Sequence, residues 1–115
     1  MIYGFNDKKE KVEVVKSDDF AFYEGTINNV AASSISTITV QQSELGISDL
    51  ENWMVVSAYE LSSSNYWMTY FRDNYGEYPK AVIREAEQIL RITVYNSDSS
   101  KRNIPVRVLL KRVSQ

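Results

Sequence analysis

Eight Tyr, four Phe and two Trp give this sequence its clearest capacity for binding. They are also crowded, with Trp53, Tyr59, Tyr66, Trp67, Tyr70, Phe71, Tyr75 and Tyr78 all falling between positions 53 and 78. Tyr and Trp present an apolar ring with a polar tip, so a row of them on a sheet or loop can stack on sugar rings or cover a subunit interface. Alternation over residues 66–72 puts Tyr66, Met68 and Tyr70 on one side and Trp67, Thr69 and Phe71 on the other, so one set is buried whichever way the strand faces. Tyr66, Tyr70, Tyr75 and Tyr78 are the expected ligand-facing set.

Other groups that could do chemistry carry weaker signals. Asp73-Asn74-Tyr75-Gly76-Glu77 places oxygen ligands around a Gly, but the spacing of a calcium-binding EF-hand loop is missing, and a turn with Gly at positive φ explains the stretch better. Glu85 and Glu87 could be paired carboxylates, yet they sit in what reads as a solvated turn. Arg84, Arg91, Arg107 and Lys111 could form a basic stripe, but no aromatic is interleaved for base stacking, which favours a solvated face. With no His and no Cys, the chain lacks the residues for Ser-His-Asp or Cys-His catalysis, for thiolate or imidazole metal sites and for disulfides. No catalytic residue, metal or cofactor is expected.

The elements that must hold the aromatics read as strands. A chain of 115 residues makes one domain able to bury roughly two-thirds of its unfolded surface. The clearest unit is residues 88–113, where Leu90, Ile92 and Val94 alternate with polar residues, as do Ile104, Val106, Val108 and Leu110, around the polar link Asn96-Ser97-Asp98-Ser99-Ser100-Lys101-Arg102. That pattern predicts a β-hairpin with one dry face. Pro105 implies an edge or a bulge near the start of the last strand. Further strands are predicted at 20–27, 35–41, 53–61, 66–72 and 81–84. Of these, 53–61 is apolar on both faces apart from Ser57 and Glu60 and so is expected to run centrally. A helix over 78–90 is the competing pattern. Short strands, frequent turn residues and no long helix give an all-β fold, an antiparallel β-sandwich or jelly roll over residues 20–115, preceded by an N-terminal arm at 1–19 that is either docking or frayed with one edge strand at 11–16.

Charge is segregated. Residues 1–79 hold 5 basic and 12 acidic side chains, while residues 80–115 hold 8 basic and 3 acidic. Pairing of the halves within one domain accounts for this; head-to-tail contact between copies is the alternative. A net charge of -2 gives no overall footprint for nucleic acid or anionic lipid. No apolar run reaches membrane-spanning length, and the N-terminus lacks the pattern of a signal peptide, so no membrane partner is expected.

Several short stretches carry a family resemblance: the leader Tyr3-Gly4-Phe5-Asn6-Asp7-Lys8-Lys9, Gly25-Thr26-Ile27, Ser43-Glu44-Leu45-Gly46-Ile47, Val55-Val56-Ser57-Ala58, Ile92-Thr93-Val94-Tyr95-Asn96 and Val106-Arg107-Val108-Leu109-Leu110. Together they resemble small structural proteins of phage and prophage particles from gut Firmicutes, in which such a leader precedes a β-rich domain. The resemblance implies a non-enzymatic virion protein, a tail, fibre or head-decoration subunit made in the bacterial cytoplasm. It also implies a homo-oligomer, often a trimer, that contacts other virion proteins, with the leader (Tyr3, Phe5, Asn6) as the docking arm. The strand layout is loosely similar to H-type lectin sandwiches, which implies, as an alternative, a module that binds host-surface glycans.

Overall fold

The computed structural model describes residues 2–5, 11–16, 19–73 and 76–113. Eleven strands are present among them: β1 (Ile2–Phe5), β2 (Lys11–Lys16), β3 (Phe20–Val30), β4 (Ser34–Gln41), β5 (Trp53–Leu61), β6 (Trp67–Met68), β7 (Phe71–Asp73), β8 (Gly76–Tyr78), β9 (Lys80–Arg84), β10 (Ile89–Asn96) and β11 (Arg102–Arg112). They form a six-stranded sheet in the order β1-β2-β3-β11-β5-β6, a three-stranded sheet β4-β10-β9 and a small hairpin β7-β8. Every pairing is antiparallel. The fold is an all-β antiparallel sandwich. Short 3-10 turns at Gln42–Leu45, Leu50–Asn52 and Glu85–Glu87 join strands, and the helix considered for 78–90 is replaced by β9, the last of these turns and β10.

The core is made by alternation. Leu90, Ile92 and Val94 on β10 and Ile104, Val106, Val108 and Leu110 on β11 have no exposed surface, and burying such side chains is worth about 1.5–3 kcal/mol each. These are the residues that the sequence assigns to the dry face. Their strands, however, are not partners. β10 pairs with β4 and β9, while β11 pairs with β3 and β5, so residues 88–113 form an arch between the two sheets and not a hairpin. The seven apolar side chains meet across the core instead of lying side by side on one sheet.

A second arch, residues 31–33, carries β3 into β4, and a buried Asn96 ties the two arches together. Its Nδ2 donates to the carbonyls of Val30 (3.0 Å), Ala31 (3.3 Å) and Ser100 (2.9 Å), and its Oδ1 accepts from the Asp98 amide (3.0 Å). Ser33, at φ 51°, donates its amide to the Asp98 carbonyl (3.3 Å). A polar side chain fully inside is tolerated because each of its polar atoms is bonded.

The opposite end of the sandwich is closed by Asp49. Its Oδ1 accepts from Trp53 Nε1 (3.2 Å), and its Oδ2 accepts from Asn52 Nδ2 (3.2 Å) and from the Arg112 guanidinium, which lies 4.7 Å from the Trp53 ring centroid. The hydrogen bond from Asn52, followed by that from Arg112, holds the Asp49 carboxyl below its usual range. Together with the ion pair of Arg107 and Glu24, this shows basic side chains of the C-terminal part meeting acidic ones of the N-terminal part within one chain.

Other expectations shift with the pairing. β5 is not central: among the described residues only Glu60 and Leu61 have a partner on its outer side, in β6, and Met54 and Val56 are 46% and 48% exposed. Pro105 lies on β11, between β3 and β5, so it is not on an edge strand, but a register shift between Arg102 and Ile104 stands beside it. The strand expected at 66–72 is split into β6 and β7. On β3, Gly25 makes room for a neighbour, since a Cβ there would lie 2.5 Å from Tyr23 Oη.

Candidate functional site

Two loop regions gather at the arch end, where Arg102 Nη2 donates to the Leu61 carbonyl (2.6 Å) and Ser63 Oγ to Asp98 (3.3 Å). The turn after β5 presents Tyr66, 70% exposed, and the segment before β7 presents Tyr70, 51% exposed. Beside them, Arg72 sits 5.9 Å from the Tyr70 ring centroid and pairs with Glu77 at 3.2 Å, a hydrogen bond that raises its already high pKa. Trp67 is half-buried, with the Arg107 guanidinium 3.8 Å from its ring centroid. Arg107 in turn is held by Glu24, so one face of the indole is already taken by a cation.

Of the four tyrosines expected to face a ligand, Tyr66 and Tyr70 are exposed. Tyr78 is 6% exposed, packed at a 35° tilt against Tyr95 with centroids 6.4 Å apart, and it offers no platform to solvent. Tyr75 lies outside the described residues. Of the arm residues, Tyr3 and Phe5 are on β1, which pairs with β2 as β2 pairs with β3, and Asn6 lies outside the described residues. Gly76 has φ +123°, as the turn reading of its loop requires. Glu85 and Glu87 are exposed in their 3-10 turn, and Glu87 pairs with Arg84 at 3.1 Å. Among the described residues no group of three His, Cys, Asp or Glu is placed to hold a metal ion, and no helix is long and apolar enough to cross a membrane.

Sequence reasoning missed the strand edges. On one flank β5 and β9 border an open cleft of ≈ 580 Å³ of mixed polarity, lined by Trp53, Met54, Val55, Val82, Arg84 and Glu85 among others. On the other flank β4 pairs, among the described residues, only with β10, leaving a row of backbone groups along its free side. β4, sequence SISTITVQ, has no charge, no Pro and no Gly, and its register with β10 runs unbroken from Ser34 to Gln41. Exposed edges ordinarily carry a charge, a Pro or a bulge that discourages pairing. The absence of such residues could be read in the sequence, but which strand forms the edge could not be read while β10 and β11 were paired with each other.

Compared with protein-family models, curated proteins and solved structures, the chain matches none.

Proposed function

We propose that this chain is a non-enzymatic assembly subunit, a structural or accessory component of a phage or prophage particle such as a tail, fibre or head-decoration protein. It acts through contacts with copies of itself and with other virion proteins. The observation that carries this reading is the mismatch of the two sheets, six strands against three. The mismatch leaves edge strands whose backbone groups and apolar side chains are open to another chain. The leader resemblance supports the virion setting, and the virion is the proposed location. Light scattering coupled to size exclusion, over a hundredfold range of concentration, tests it: an assembly subunit gives a mass above the 13.3 kDa of one chain, and a strict monomer throughout would overturn the reading.

A second reading rests on Tyr66 and Tyr70, whose exposure suits stacking on sugar rings. Here the chain is a carbohydrate-binding module that attaches to host-surface glycans. Replacing both with Ala would abolish binding on a glycan array and leave the thermal transition in place, whereas no glycan retained at millimolar concentration would remove the idea.

A further inference from the structure

The two sheets are offset as well as unequal. β4 stands against β3 across the core, and β9 stands against β5. In sheet order the β1–β2 hairpin therefore runs two strands beyond the free side of β4. The interior is open on this side: Ser36 and Ile38, on the inward positions of β4, remain partly exposed, while inward residues of β10 are fully buried. Register aligns Ile2 with Val14, and Val14 with the buried Tyr23, so the backbone of the hairpin continues the larger sheet past the end of the smaller one.

We infer that a second copy of this chain fills this step, by a two-fold rotation about an axis parallel to the strands. The inference rests on the assembly reading above and names its partner. Such a rotation exchanges both the layers and the flanks, so the β1–β2 hairpin of one protomer lies over that of its partner, two strands entering a gap two strands wide. β1 of each protomer then borders β4 of the other. The sense is also right: β1 runs parallel to β3, the short arch reverses the chain into β4, and a rotation about the strand axis keeps direction, so the new seam is antiparallel. Both strands of the seam, IYGF and SISTITVQ, are uncharged, which leaves no like-charge opposition in any register. Two hairpins face to face plus two such seams bury on the order of 1,000 Å², the lower range of specific interfaces. The contact is isologous and closes at two copies, in place of the trimer that the family resemblance implies.

The other edges are less suited. In an antiparallel β9–β9 contact centred on Val82, Lys80 would oppose Arg84 of the second copy. β5 carries a register shift opposite Leu109 and Leu110 and is capped at one end by β6. Charges and bulges are the usual means of protecting an edge.

Because the chain has no Cys, introduced thiols are the only ones present, and each variant oxidised alone gives the background of like-with-like dimers. Tyr3→Cys protein is mixed in turn with Ile35→Cys, Thr37→Cys and Thr39→Cys proteins, oxidised and run on a non-reducing gel, with Val82→Cys as the β9 control. The expected result is a cross-linked dimer from at least one of the three β4 mixtures in excess of that from either variant alone, and no such excess with the control. In parallel, Ile35→Lys is expected to weaken self-association at least about tenfold with an unchanged thermal transition, as a charge on an edge does. A wild-type protein that self-associates without these cross-links, or cross-links through Val82, overturns the β1–β4 joint and leaves the assembly reading standing. A wild-type protein monomeric at every concentration overturns both.

Discussion

Asn96 shows how much of this fold hangs on single polar side chains. Its amide nitrogen serves three carbonyls from both arches, so Asn96→Ala removes these bonds and leaves inward-facing acceptors without a donor. A net hydrogen bond is worth roughly 0.5–1.5 kcal/mol and an unsatisfied buried group costs about 1–3, so the substitution is expected to destabilise by about 2–4 kcal/mol in urea unfolding. Asp49 makes a pH-dependent contribution at the other end. Its folded pKa is lowered, first by the bond from Asn52 and then by that from Arg112. The stability it adds is therefore fully present above its unfolded value of about 3.9 and is lost as pH falls through the lowered folded value. Asp49→Asn is expected to flatten the acid side of the stability profile measured by thermal melts between pH 2 and 6, with the wild-type protein losing more on acidification than the variant.

At the scale of elements, alternation reports which face of a strand is dry and says nothing of its neighbour. The inward sets of β10 and β11 were legible for that reason. The pairing was not, because the polar link of residues 97–101 is compatible both with a hairpin turn and with an arch that crosses the core. Once those strands are assigned to opposite sheets, β5 moves outward and β4 becomes an edge, so the interaction surfaces depended on the piece of information that alternation lacks. The tyrosine set was partly legible for a related reason. Exposure of Tyr66 and Tyr70 follows from their place in turns, whereas Tyr78 is covered by its contact with Tyr95 on the outer face of β10, a residue distant in sequence. Inter-strand nuclear Overhauser effects check the arch directly: contacts of Ile92 with Ile38 and Ala81, and of Val108 with Tyr23 and Ala58, are expected from the register. Hairpin-type backbone contacts between Val94 and Ile104 would contradict it.

The molecule as a whole is a sandwich in which acidic and basic side chains of the two halves pair within the chain and whose edges are not all closed. Glu24 with Arg107 and Asp49 with Arg112 join the acidic and basic parts of one chain, so charge segregation does not by itself call for a partner. The offset sheets do, since the uncharged edge strand β4 leaves backbone donors and acceptors that another chain can satisfy. Association through such a seam is expected to persist at 1 M salt, where surface charge pairs are screened. Amide hydrogen exchange followed as protein concentration rises tests this most directly. Protection of the amides in β4 and β1 is predicted to increase with concentration while that of β9 stays constant. Exchange in β4 and β1 that is independent of concentration up to the millimolar range would contradict it.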